Sequence, residues 1–181
     1  MQDKTILQVG IILLIVAGTF FALEWANKRF SRRGYVGFLW LAFGVYALGN
    51  LYFTLLSRVP GSGTELVLQP FQAYTRLEQG GQAEAEEAVG FAAAFLKGTT
   101  PLDGIILNVL LYVPLGYLLS RLFPRLKVWQ VILIGLLCSL ATEATQYLFK
   151  LGWCETDDVI HNTLGTAIGA WMRWLQLKRR A

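Results

Sequence analysis

The sequence predicts an all-α integral membrane bundle of about five transmembrane helices, and three observations carry that expectation. The 181 residues are 55% hydrophobic and 15% charged, with a mean hydropathy of +0.48, too apolar for an ordinary soluble domain. The apolar residues fall in continuous runs near the roughly 20 residues a helix needs to cross a bilayer. Basic residues gather in alternate gaps between those runs. Barrel strands would be short and alternating, so helices are the expected spanning form.

The runs cover residues 6–23, 36–56, 104–123, 129–150 and 159–177. The first could pass for a signal peptide. Its leading region, however, holds only Lys4 beside Asp3, and the basic cluster follows the apolar run, so a retained helix is expected. Between spans one and two lie Lys28, Arg29, Arg32 and Arg33. Between three and four lie Arg121, Arg125 and Lys127, and after span five come Arg173, Lys178, Arg179 and Arg180. By the positive-inside rule that side is cytoplasmic, which puts the N-terminus out and the C-terminus in. The other side carries Asp3, Glu65, Glu78, Glu84, Glu86, Glu87, Asp103, Glu155, Asp157 and Asp158. The net charge of +4 then reflects flanks facing anionic lipid and does not argue for nucleic acid. The expected location is the plasma membrane.

Residues 1–181 read as one membrane domain with no internal repeat. The long connection 57–103 is expected on the outer side. It opens with the helix-breaking RVPGSGTE. It closes with AEAEEAVGFAAAFLK (83–97), whose helix formers and charge order predict a helix packed on the span ends or lying in the headgroup plane. Cys138, near the middle of span four, and Cys154, past its outer end, lie roughly 20 Å apart by helix rise, so two free thiols are expected.

Polar residues meet at one depth. On span four, Ser139, Glu143, Gln146 and Tyr147 share a stripe, and a carboxylate inside such a run is expensive. On span five, Asp158, Asn162, Gly165 and Gly169 share another, and the two glycines allow close helix contact. Asp157 and Asp158 open that helix, where acids suit free N–H groups. On span three, Asn108 and Tyr112 share a face, and Pro114 frees a carbonyl near residue 110. Tyr46 and Asn50 do the same on span two, with Arg58 just beyond.

Glu143 and Asp158 are the candidate catalytic groups, Glu143 as acid or base. Asn50, Arg58, Asn108, Tyr112, Ser139, Gln146, Asp157, His161 and Asn162 are the candidate ligand-binding set. The competing reading for Glu143 is a packing carboxyl hydrogen-bonded to Asn or Tyr. For Asp157 it is helix capping, and for His161 an interfacial side chain. Glu155, Asp157, Asp158 and His161 offer metal-ligand chemistry, but their spacing matches no strong motif, so metal and cofactor stay unassigned. Cys154 and His161 lack a nucleophile pattern, and no nucleotide loop is present.

The runs NVLLYVPLG (108–116), SLATEATQ (139–146) and CETDDVIHNTLGTAIG (154–169), with NLYFTLLSR (50–58) and LQPFQAY (68–74), resemble the VanZ-like family over about residues 45–172. By motif, Asn108, Pro114, Gly116, Ser139, Glu143, Gln146, Asp158, Asn162, Gly165 and Gly169 are its family positions. Many members carry an arginine before the paired acids; this chain has Cys154-Glu155, the form of another branch. The resemblance implies a small bacterial multi-spanning protein akin to one that confers teicoplanin resistance. The partners it implies are a membrane lipid, a lipid-linked wall precursor or an amphiphilic glycopeptide. Three functions stay open: an envelope binding protein, a membrane enzyme acting on a lipid head group, and a small transporter.

Overall fold

A computed structural model describes residues 2–58, 60–61, 66–72, 74–75 and 101–179. The expected helix at 83–97 lies outside these residues. Five helices form the bundle: α1 (Gln2–Arg29), α2 (Arg32–Leu51), α3 (Pro101–Leu122), α4 (Val128–Phe149) and α5 (Thr156–Lys178). A π-helical turn, Tyr52–Leu56, extends α2. Among the described residues, three helices are long and apolar enough to cross a membrane: α2 with its π turn (Arg32–Leu56), Gly104–Leu122 of α3, and α4. At 23 residues, α5 is also long enough, about 34 Å by helix rise. Its polar residues turn inward, where Asp157, His161, Asn162 and Thr166 are buried.

Glycines set the central contact. A methyl at Gly165 would collide with the carbonyl of Val109, one at Gly169 with that of Val113, and one at Gly116 with that of Thr166. So α3 and α5 run parallel, with backbone against backbone. A methyl at Gly135 would strike the Thr166 side chain, so α4 packs against α5 through that side chain and not backbone to backbone. Without a hydrophobic drive between helices in lipid, such close approach is a main source of association. The Gly165/Gly169 pair therefore does what its spacing predicted.

The other helices lean on α3. Tyr46 of α2 donates to the Leu111 carbonyl at 3.1 Å, in the turn preceding Pro114. At the opposite end of α3, Tyr35 of α2 and Glu24 of α1 both meet Arg121. Thus α2 is antiparallel to α3. The connections 30–31 and 123–127 fall at the basic end of the bundle, and 150–155 at the other.

Arg121 departs from expectation. It was counted with the solvated flanking charges, yet it is buried and ion-paired with Glu24. The Tyr117 hydroxyl lies 3.1 Å from the Glu24 carboxylate and 3.0 Å from the Gln176 amide oxygen, and accepts from Arg121 at 2.5 Å. Glu24 is the signal that was overlooked: a lone acid on the basic side of the chain, where a partner was needed.

Candidate functional site

The other end of the bundle gathers most of the predicted polar residues. Ser139, Glu143 and Gln146 form the buried stripe of α4. Tyr147 leaves it, being 45% exposed. A residue one position past the stripe rotates about 100° away from it, toward lipid.

Asp158 lies beside α3, where Asn108 Nδ2 donates to its Oδ1 at 2.6 Å. Glu143, only 4% exposed, accepts the backbone N–H of Glu155 at 3.1 Å. One turn deeper, Asn162 Nδ2 donates to Ser139 Oγ at 2.9 Å and ties α5 to α4. The charges felt by Glu143 include Asp158 and Arg58, and those felt by Asp158 include Arg58. Arg58 itself donates to the Leu151 carbonyl at 3.2 Å. The expected meeting of Glu143, Asn108 and the Asp158–Asn162 stripe is therefore observed as contacts among α3, α4 and α5.

The capping reading of the paired acids does not hold. The N-cap of α5 is Glu155, whose side chain makes no capping bond. Asp157 accepts instead from the backbone N–H of Phe71, at 2.5 Å. Phe71 is held at φ 65°, an uncommon backbone state for a bulky side chain. Three residues on, the Tyr74 hydroxyl lies 3.0 Å from His161 Nε2. Leu66 and Val67 pair in parallel with Cys154 and Glu155, the strands β1 (Leu66–Val67) and β2 (Cys154–Glu155). Residues 66–72 and 74–75 thus form a strap fastened to the start of α5. Sequence reasoning missed this strap, because its fastening partners are a main-chain N–H and a tyrosine in a segment without periodicity.

Beside the acids, the face of α2 carries a second polar chain. Asn50 Nδ2 donates to the Tyr46 hydroxyl at 3.2 Å, and Thr54 donates to the Asn50 carbonyl at 2.8 Å. Gln146 Nε2 crosses from α4 to the Thr54 carbonyl at 2.9 Å, in the π turn. Such turns break the regular ladder and recur at functional sites. Below lies a groove of about 190 Å³ between α2 and α4, with Tyr46, Asn50, Thr54, Tyr112, Cys138 and Thr142 in its lining. Tyr112, placed by sequence beside Asn108, instead turns toward this groove, 3.5 Å from Thr142.

Both cysteines are free, as expected. Burial pushes the Cys154 thiol up, and the carboxylates of Glu143 and Asp158 push the same way. Among the described residues, no group of three or more His, Cys, Asp or Glu side chains is placed to hold a metal ion.

The family model VanZ/LLP1 matches residues 9–177. The chain belongs to the VanZ/LLP1 family. The match is wider than the 45–172 that the motifs suggested, and it takes in most of α1. Comparison with curated proteins and with solved structures finds no match. The chain is a membrane protein of the VanZ type, and the VanZ-like motifs converge on the α3–α4–α5 seam just described.

Proposed function

We propose that this VanZ-like protein binds a membrane amphiphile at the acid-rich end of its bundle, in the outer leaflet of the bacterial plasma membrane. The orientation, N-terminus out and C-terminus in, rests on the basic residues at the opposite end. The observation that carries the reading is the pairing of two unlike compartments side by side. One is the polar seam in which buried Glu143 and Asn162 meet half-buried Asn108 and Asp158. The other is the groove between α2 and α4, adjacent to exposed Leu48, Leu51, Leu137 and Leu140. A head group suits the first, and an apolar chain entering sideways from the bilayer suits the second. A lipid-linked wall precursor and an amphiphilic glycopeptide both have that build. Sequestering either one would lower drug occupancy of the cell wall.

An enzyme acting on a head group is the second reading, with Glu143 as acid or base and Asp158 orienting the substrate. Its support is the same buried carboxylate pair. The binding reading is preferred because both carboxylates are already held by fixed donors, Asn108 and the Glu155 N–H. The transporter reading has no further support from the arrangement.

The deciding experiment measures lipoglycopeptide retained by cells that lack the protein, express it, or express Glu143→Gln. Altered retention with the wild type, returning to the background level in the variant, is expected. Equal retention in all three strains, at matched expression, would sink the proposal.

A further inference from the structure

The chemistry on offer in the acid-rich seam is one-sided. Glu143 and Asp158 are two carboxylates on facing helices, and Arg58 is the described cation in the field of both. Arg58 already directs one guanidinium nitrogen at the Leu151 carbonyl. Two further acceptors accompany the carboxylates. The side-chain oxygens of Gln146 and Asn162 are buried and have no hydrogen-bond partner among the described residues. Those two residues are only 2% and 4% exposed.

For Gln146 the identity of the open atom follows from its neighbour. The Thr54 carbonyl can only accept, so the amide nitrogen must face it and the oxygen is the atom left over. Asn162 lies one turn from Asp158 and reaches across to Ser139, one turn from Glu143. Its open oxygen therefore sits in the seam that the two carboxylates line. A buried acceptor left without a donor is unfavourable, and a ligand donor relieves it.

We propose that this seam recognises a protonated amine, the ammonium head of a membrane amphiphile. An ammonium has three N–H donors and no acceptor, the complement of carboxylate and amide oxygens. Its positive charge balances a pair of acids that Arg58 alone does not. A pyrophosphate brings only negative charge and acceptors, and two carboxylates repel it. The proposal deepens the binding reading above and rests on it.

The test uses the full chain in bilayer nanodiscs of neutral lipid, with three photoreactive amphiphiles sharing one alkyl chain. Their heads are a primary amine, the same amine N-acetylated, and a phosphate. Labelling is scored as the part that excess unlabelled amphiphile competes away. Charged hydrogen bonds of about 1.5–3 kcal/mol predict that the amine exceeds its acetylated form at least about tenfold. Asp158→Asn keeps the shape that faces Asn108, and Glu143→Gln keeps an acceptor for the Glu155 N–H, so both should fold. Each should bring amine labelling down toward the acetylated level. Specific labelling that favours the phosphate, or that ignores head charge, overturns the ammonium proposal and leaves the binding reading intact. No competable labelling by any of the three overturns both.

Discussion

The two ends of this bundle solve the problem of a buried charge in opposite ways. At the basic end, Arg121 is met by Glu24 and flanked by the rings of Tyr35 and Tyr117, 5.8 and 5.0 Å from its guanidinium carbon. Arg121 and Glu24 are each other's counter-charge within one cluster. At the acid-rich end, two carboxylates share a seam and are held mainly by neutral donors, an asparagine amide and a main-chain N–H. The first arrangement joins α1, α2, α3 and α5 as a structural pin and leaves one guanidinium nitrogen, Arg121 Nε, without a hydrogen-bond partner. The second is left with spare acceptors, as a recognition site would be. A buried charge by itself therefore does not mark function; the balance of its surroundings does.

The strongest way to break this comparison is at the pin. Arg121→Met leaves the partly buried Glu24 without its counter-charge, although the Tyr117 hydroxyl still faces it, and breaking a buried pair by removing one partner costs up to about 3–5 kcal/mol. The double variant Arg121→Met with Glu24→Leu should recover much of that loss, because no lone charge remains. Unfolding in mixed micelles, followed by the tryptophan signal, measures both. If the single variant is as stable as the wild type, the pin is not a pin.

The legibility of the chain divides along the same line. The helices were legible because their apolar runs are long. The α3–α5 contact was legible because Gly165 and Gly169 recur at helical spacing. The seam was legible because Ser139, Glu143, Asp158 and Asn162 are polar residues at helical spacing inside membrane-length runs. Arg121 was misread because a basic residue beside a short loop has the same sequence signature whether it is solvated or paired. Asp157 was misread because acids at a helix start suit capping, and only the tertiary position of Phe71 decides otherwise. The strap was invisible for a related reason: its bonds run to the backbone and to single side chains about 86 residues away, and no local pattern encodes them.

A smaller effect is expected from Asn108→Ala. It removes the donor from Asp158 without removing the charge, and a hydrogen bond to a charged group is worth about 1.5–3 kcal/mol. The loss should stay below that of Arg121→Met in the same unfolding measurement. Equal losses would mean that the acid-rich end is as tightly pinned as the basic end. The contrast between a structural and a recognition cluster would then have no energetic basis.

The smallest effect belongs to the strap. Tyr74→Phe removes one hydroxyl from its contact with His161 and leaves the ring, which sits 5.8 Å from the imidazole. A neutral hydrogen bond contributes about 0.5–1.5 kcal/mol, so global stability should barely change. Locally the effect is larger, because the described strap residues, 66–72 and 74–75, hold to the start of α5 by only a few bonds, among them the Phe71 N–H to Asp157 and the short β1–β2 ladder. Amide exchange at Leu66, Val67 and Phe71 should accelerate about 2- to 13-fold, the same free energy read as an opening equilibrium. Exchange at the centre of α4 should stay as in the wild type. If α4 accelerates equally, the strap is part of the core, and the acid-rich end opens only when the whole bundle does.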